Sequence, residues 1–442
     1  MIVAKFGGTS VGTYDAMMHS AGIVSSDSNR RLIVISATSG TTNDLVALGN
    51  AELDFTSQEE IVIRIKERHM SIIDQLDNSE VVEREFKEEL TQLRQHLDLV
   101  ARDKRWKDRL VSFGEMMSTK IFVHVLKDAG VDVQWMDARE IIKTDSHFGN
   151  ATPELSIIKK KAEKYLKGEQ VILTQGFIGS DVFGNTTTLG RGGSDFSAAL
   201  FAEALKAEKL EIWTDVAGIY STDPRVVSEA RPIKEITFDE AAELSVFGGK
   251  VLHPATLKPA IRGKVNVRVA STKEPEKAGT LIVHKSNEKP VARALSLRKN
   301  QTLLTVKSLD MLHQYGFLAR LFQVLAENKI SVDLVSTSEV SVSLTLDTAV
   351  NAANKVELTI DVVNELKEFC EVEIETDYCL IALIGNNLNK TAGISGKLFN
   401  KLKEFNIRMV CHGASENNIC FLADEKDGEE IVKLLHKEFI EL

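Results

Sequence analysis

The 442-residue chain contains no apolar run long enough to cross a membrane, and the four residues ahead of Lys5 are too few for a signal-peptide core. Both absences lead to the expectation of a cytoplasmic protein. No lysine- and arginine-rich block stands out either: Lys+Arg number 54 against 64 Asp+Glu, a formal charge of −10, which argues against nucleic acid or an anionic membrane as partner. Small anions must then be captured locally. Cys370, Cys379, Cys411 and Cys420 lack CxxC spacing and the histidines lack ligand spacing, so reduced thiols are expected rather than disulfides or a metal site. Neither a Walker A lysine loop nor the protein-kinase catalytic set occurs, which disfavours both of those classes.

What is present is the composition of an ordinary globular protein, 43% hydrophobic and 27% charged, long enough for roughly three domains. Up to about residue 290, apolar strands alternate with helical stretches, the pattern of a mostly parallel sheet covered on both faces. Strands are expected at Ile2-Val3-Ala4 and at 32–36, 131–135, 171–174, 210–214 and 265–269. Residues 45–126 read as long, charge-laced helices, 81–101 among them, without a strict heptad; they form a helical insertion rather than a coiled coil.

Five clusters carry the chemistry. Lys5 followed by Gly7-Gly8-Thr9-Ser10 reads as a phosphate cradle between the first strand and a helix, the glycines admitting an anion to backbone N–H groups. A purely structural glycine turn is the alternative at this point. Thr186-Thr187-Thr188-Leu189-Gly190-Arg191-Gly192-Gly193-Ser194-Asp195 packs hydroxyls, a guanidinium and a carboxylate into one loop entering a helix at Phe196; Arg191 suits a carboxylate and Asp195 suits holding lysines near phosphate. At the end of a strand, Trp213, Thr214, Asp215 and Tyr220, with Asp223-Pro224-Arg225 beyond, offer an aromatic ring, a carboxylate for ribose and an arginine for phosphate. Phe247-Gly248-Gly249-Lys250 adds a second lysine beside glycines, and His253 reads as a packing residue. Nearer the front, Ser36 to Asn43 supply hydroxyls, Thr42 among them, and Ser112-Phe113-Gly114-Glu115 places a carboxylate that either meets a substrate ammonium or merely starts a helix.

Beyond residue 300 the chain repeats at a spacing of 77 residues, as from Gly316 to Gly393. Phe317, Leu321, Phe322, Leu325 and Ile330 align with Ile394, Leu398, Phe399, Leu402 and Ile407. Each copy reads strand, glycine-started helix, two strands, helix. The first copy ends in a further strand at 370–376, whereas the second ends after its last helix. The strand-like segment 292–298 is expected to supply the strand the second copy lacks. Three domains follow: 1–290, then 302–376, then 292–300 with 379–442, the first copy being inserted in the second.

Taken together, these motifs resemble the aspartate kinases of the amino-acid kinase family, and the tail resembles its pair of ACT domains, over essentially the whole chain. Residues 308–313 and 331–341 are most similar to the lysine-inhibited form. The resemblance implies a three-layer αβα amino-acid kinase domain followed by two ferredoxin-like (βαββαβ) ACT domains. It implies transfer of phosphate from ATP, with Mg²⁺ carried by the nucleotide, to the side-chain carboxylate of L-aspartate, the first step of lysine, threonine and methionine synthesis. Lys5 and Lys250 would neutralise the phosphoryl group, with Asp195 orienting them. Thr42, Glu115, Arg191 and Ser194 would hold aspartate. Gly7, Gly8, Ser10, Thr214, Asp215, Tyr220 and Arg225, together with the two lysines, would hold ATP. Gly249 departs from the alanine expected before the lysine and bears only on loop stiffness. L-Lysine as inhibitor is expected in the first copy, near Met311, Gly316, Phe317, Leu318, Ser331, Val332, Asp333, Ser338 and Glu339, because the position matching Asp333 in the second copy is Val410, which cannot pair with an ammonium. A homodimer through the ACT domains is expected, the second copy serving packing and dimer contacts, with a tetramer left open. No general base is required, since the acceptor carboxylate is already ionised near neutral pH, its ordinary pKa being about 3.9.

Overall fold

Ile2–Phe6 form strand β1, and all five residues are buried because the strand lies in the interior of a sheet. The computed structural model describes every residue except 51–52, 101–102, 167, 249–251, 253, 313–314, 347–357 and 442. The chain divides into two units: Met1–Ile219, Pro232–Phe238 and Lys250–Ser286 make one, and Tyr220–Arg231, Asp239–Gly249 and Asn287–Leu442 the other.

In the first unit β1 leads through a 3-10 turn, Gly8–Val11, into α1 (Tyr14–Ser25). The expected passage from the glycines straight into an α-helix is therefore interrupted, and it is Thr13 whose hydroxyl caps α1 by accepting from the Ala16 N–H. Next come β2 (Arg30–Ile35) and four helices, α2 (Thr41–Leu48), α3 (Phe55–Ile73), α4 (Ser79–Val100) and α5 (Lys104–Asp128). There follow β3 (Val133–Met136), α6 (Leu155–Tyr165), β4 (Val171–Gln175), a hairpin of β5 (Ile178–Ser180) and β6 (Thr186–Thr188), and α7 (Gly193–Ala204). The chain continues through β7 (Lys209–Thr214), β8 (Glu235–Thr237), α8 (Phe238–Val246), α9 (Pro254–Gly263), β9 (Asn266–Ser271) and β10 (Thr280–Val283). All of α8 after Phe238 belongs to the second unit.

The sheet runs β3-β4-β2-β1-β7-β9-β10-β8, parallel throughout except where β9 meets β10. The expected strands coincide with β1, β2, β3, β4, β7 and β9. Two differences have physical causes. Thr186–Thr188 form a strand rather than a loop, since Thr187 is buried with its hydroxyl 2.7 Å from that of Thr144. The helix expected at Phe196 begins at Gly193, because Gly192 takes a left-handed conformation (φ 71°) that turns the chain earlier. Alternate residues Ala4, Phe6, Ile33 and Ile35 enter one core with Met17, Ile65, Phe113 and Phe122 from α1, α3 and α5. Their neighbours Val3, Leu32 and Val34 are equally buried, and α7 packs along β1, β2 and β7. Among the described residues no helix is long and apolar enough to cross a membrane.

The second unit contains β11 (Ala292–Lys307), α10 (Phe317–Glu327), β12 (Val332–Thr337), β13 (Ser341–Leu346), α11 (Ile360–Lys367) and β14 (Glu371–Gly385). After them come α12 (Ile394–Lys401), β15 (Ile407–His412), β16 (Asn418–Asp424) and α13 (Gly428–Phe439). Its antiparallel sheet runs β12-β13-β11-β14-β16-β15. Residues 292–298 pair with 380–385 of β14, while 302–307 pair with β13 and, over 303–307, with 371–375 of β14. Asn300 (φ 57°) and Asp377 (φ 64°), equivalent positions in the repeat, jog the two long strands without ending them. Ion pairs tie the copies crosswise: Arg298 to Asp333, and Arg408 to Glu375 at 2.5 Å. Helices α10 and α11 cover Leu304, Val306 and Leu344, and α12 and α13 cover Ile381, Leu383 and Phe421.

Within the first unit, Glu211 on β7 is the most heavily compensated buried charge. Burial pushes its carboxyl up, but the hydrogen bond and charge of Arg30 (2.7 Å) and those of Lys209 (3.1 Å) outweigh it and hold the group below the usual range. The Trp213 indole also donates to it at 3.0 Å. Replacing Glu211 by Ala leaves Arg30 buried without its partner, so the variant should lose about 3–5 kcal/mol of stability in denaturant titration. An unchanged midpoint would contradict the assignment.

Candidate active site

Lys5 reaches the carboxyl end of the parallel sheet beside β1, from which the chain winds outward in both directions, the place where such sheets take ligands. The side chain is 8% exposed and its ammonium lies 2.6 Å from Asp195 Oδ1. Asp195 stands in the first turn of α7, where the helix N-terminus as well as the lysine favours a negative charge. Two close approaches draw the strand ends together. A Cβ on Gly8 would stand 2.7 Å from the Ala37 carbonyl oxygen, and one on Gly176 would stand 2.6 Å from Ser194 Cβ.

The loop after β2 is braced from the helical stretch. Thr38 Oγ1 lies 2.7 Å from Thr41 Oγ1 and 3.0 Å from His69 Nε2. His69 Nδ1 contacts the Ile65 carbonyl at 2.7 Å, so Nδ1–H donates there and Nε2 accepts from Thr38. Burial lowers the imidazole to about 4, which keeps it neutral. Arg68 donates to Thr41 Oγ1 (3.2 Å) and to Asp44 (2.8 Å), fixing the start of α2.

From α5, Glu115 points at the same loop. Oε1 accepts from the Ala37 N–H at 3.3 Å, and Oε2 is buried without a hydrogen-bond partner among the described residues. Burial pushes the carboxyl up to about 8, against weaker downward pulls from the Ala37 N–H and the Lys5 charge. About two turns before it, Asp108 accepts from the N–H groups of Gly149 (2.9 Å) and Thr188 (2.7 Å) and so anchors the strand that leads to Gly190. Burial raises Asp108 to about 6, these two bonds opposing it.

These elements enclose a cavity of about 410 Å³ lined by Lys5, Gly8, Thr42, Glu115, Arg191, Ser194 and Asp195. Seven of the residues singled out by sequence are thus brought together. Others lie elsewhere. The Gly7 N–H is bonded to the Trp213 carbonyl (3.1 Å), and Ser10 is buried with its hydroxyl 3.2 Å from Thr272 Oγ1. Thr214, which donates to Asp215 at 3.1 Å, continues from Trp213 at the end of β7. Tyr220 and Arg225 fall in the second unit, where Arg225 is exposed and paired with Asp223 at 2.6 Å. Lys250, Gly249 and His253 lie outside the described residues. The nine residues named for lysine are also in the second unit: Gly316 (φ 91°) precedes α10, Val332 and Asp333 lie on β12, and Ser338 forms the turn to β13 through the Ser341 hydroxyl (2.7 Å).

Sequence reasoning missed Phe177, which lines the cavity in a left-handed conformation (φ 69°), and the braces His69, Arg68 and Asp108. None had a local signal: His69 lies among the apolar positions of α3 and reads as core, and Asp108 acts on partners 41 and 80 residues away.

Residues 1–271 match the model of the amino acid kinase family, and residues 304–355 and 381–439 match an ACT domain. The lysine-sensitive aspartokinase 3 of Escherichia coli strain K12 is 48% identical over 448 residues, covering all of this chain and 99% of its own length. The chain belongs to the aspartokinases. Two crystal structures of E. coli aspartokinase III resemble this aspartokinase along its length, each at 48% identity. The complex with aspartate and ADP, an R-state, has a TM-score of 0.89 over 99% of both chains. The complex with lysine and aspartate, a T-state, has a TM-score of 0.87 over all of this chain and 99% of the other.

Glu115 gives this aspartokinase a pH-dependent weakness when no ligand is present. The folded carboxyl keeps its proton to about 8 whereas the unfolded one loses it near 4.5, so the native state binds more protons between those values and stability falls as pH rises through that window. Glu115→Gln should therefore gain stability relative to the parent between pH 5 and 8, on the order of 2 kcal/mol, in denaturant titrations at both pH values. A constant difference across the window would contradict the buried, protonated state.

Proposed function

We propose that the cavity holds L-aspartate with its ammonium at Glu115 and its α-carboxylate at Arg191, Thr42 and Ser194 adding hydroxyl donors. The observation that carries the reading is the unpartnered Glu115 Oε2 inside the cavity that also contains the Lys5–Asp195 pair. A buried carboxylate calls for a cation, and a lysine at a helix N-terminus calls for an anion. The side-chain carboxylate of aspartate then attacks the γ-phosphorus of ATP in line, the bond to the β-phosphate oxygen breaks, and ADP leaves with 4-phospho-L-aspartate as product. Lys5 neutralises charge on the transferring group and Asp195 holds the ammonium in place, positioning and electrostatics being the main terms in phosphoryl transfer. Gly7, Gly8, Thr214 and Asp215 lie along the strand ends on the nucleotide side in this reading, with Lys250 as the second lysine. Mg²⁺ bound to the nucleotide would neutralise its phosphates, and Asp195 is the cavity carboxylate whose chemistry fits a contact with it.

For regulation we propose L-lysine in the first copy of the repeat, its carboxylate at the N-terminus of α10 and its ammonium toward Asp333. Arg298 already engages Asp333, so an arriving ammonium shares or displaces that guanidinium. Residues 292–300 with 379–442 are read as one ACT domain and 302–376 as the other, supported by the pairing of 292–298 with 380–385. Leu309, Leu312, Tyr315 and Leu318 are exposed on the first copy and support a homodimer formed there rather than through the second copy expected from the sequence.

An ADP-release assay, with hydroxylamine trapping of the acyl phosphate, tests both parts. Aspartate but not glutamate should support turnover, Lys5→Met should lower kcat by about 10²–10³-fold, and lysine should inhibit. Asp333→Ala should keep the uninhibited rate and lose inhibition at least about tenfold, the loss of one charged contact. Turnover on glutamate alone would overturn the substrate assignment, and undiminished inhibition of Asp333→Ala the regulatory one.

A further inference from the structure

Two of the four thiols face one another. Cys411 on β15 and Cys420 on β16 are direct cross-strand partners in the antiparallel register. Residues so placed have Cα atoms about 4.5–5.5 Å apart, within the 4.4–6.8 Å that a disulfide spans. The side chains lie on one face of the sheet, and the Cys420 thiol donates to the Cys411 carbonyl at 3.5 Å. The two differ in access. Cys420 is 1% exposed, whereas Cys411 is half-buried, with its sulfur 3.9 Å from the Val335 carbonyl of β12.

We propose that Cys411 and Cys420 are a redox dithiol that closes reversibly to an intramolecular disulfide by exchange with a low-molecular-weight disulfide. The Cys411 thiolate attacks one sulfur of the small disulfide, an S–S bond breaks, and one small thiolate leaves and takes up a proton. The Cys420 thiol then loses its proton and attacks Cys411 Sγ, expelling the second small thiol and leaving the protein disulfide. Two protein thiols are oxidised and one small disulfide is reduced to two thiols, so atoms and electrons balance.

The order of attack follows from the site. The Cys420 thiol holds Cys411 below the usual thiol range, while Cys420 is driven up by the same neighbour and by burial, so the half-buried Cys411 is the more readily ionised of the two. The remaining thiols do not compete. Burial pushes Cys370 up to about 11 and Cys379 up to about 12, leaving both almost wholly protonated near neutral pH. Closure would fix the β15–β16 edge covalently beside β12, the strand that carries Asp333.

The test treats the full-length reduced protein with oxidised glutathione at pH 7.5, then counts free thiols by alkylation and maps the products by mass spectrometry. The wild type should fall from four free thiols to two, with one peptide pair joining Cys411 to Cys420, and dithiothreitol should restore all four. Cys420→Ser should stop at a glutathione adduct on Cys411, and Cys411→Ser should keep its three thiols. The proposal is overturned if the wild type retains all four thiols, if Cys411→Ser oxidises as fast as the parent, or if the wild type accumulates the glutathione adduct instead of the internal bond. Circular dichroism of both serine variants, unchanged from the parent, separates these outcomes from misfolding.

Discussion

A carboxylate removed from water must be neutralised, and in this aspartokinase the group to which that rule applies most sharply is Glu115. One oxygen is answered by a single long bond from the Ala37 N–H and the other by no hydrogen bond among the described residues. The residue holds its proton instead, and only a cation entering the cavity makes ionisation favourable. Contrast Glu211, equally buried, which is met by Arg30, Lys209 and Trp213 and stays charged. The protein thus has the means to satisfy a buried carboxylate and does not use them at Glu115. In the proposed reading, that difference separates a structural charge from one that meets a ligand.

The rest of the first unit serves to present this deficit opposite Lys5. Parallel strands carry Lys5, the 36–43 loop and Gly176 to one end of the sheet, and the tight approaches at Gly8 and Gly176 set the spacing. Helix α3 gives the loop its shape through neutral His69 and Arg68, while Asp108 of α5 anchors the strand that leads to Gly190. In the second unit the same logic of paired charge holds two copies of one motif together, Arg298 with Asp333 and Arg408 with Glu375. Helix α8 is held there by Glu240, which accepts from Arg293 (3.1 Å) and Asn386 (2.7 Å), and by Glu243, which accepts from Ser415 (2.6 Å) and Asn418 (2.7 Å).

Much of the sheet was legible because a strand buried on both faces must be a short apolar run, as at 32–36 or 210–214, and such runs need no partner to be recognised. The repeat was legible because Gly316 and Gly393 both stand just before a helix in left-handed conformations that favour glycine. What escaped was set by contacts distant in sequence. The hairpin of β5 and β6 depends on threonines meeting Thr144 and Asp108, and the brace that His69 gives the 36–43 loop depends on Thr38, 31 residues before it. Likewise, nothing in the sequence near Asp333 announces Arg298, nor does the sequence near Cys411 announce Cys420 as its cross-strand partner. Motif residues such as Lys5, Glu115, Arg191 and Asp195 could be named from residue type and order, but that they share one cavity is a fact of the fold.

Calorimetry of aspartate binding near pH 7, run in buffers of different ionisation enthalpy, tests the central claim most directly. If Glu115 is protonated in the free protein and ionises against the substrate ammonium, the slope of observed heat against buffer enthalpy should report release of about one proton per site, and Glu115→Gln should abolish it. A slope of zero, a proton taken up, or the same release in Glu115→Gln would show that the buried carboxyl is not the group that answers the substrate's charge.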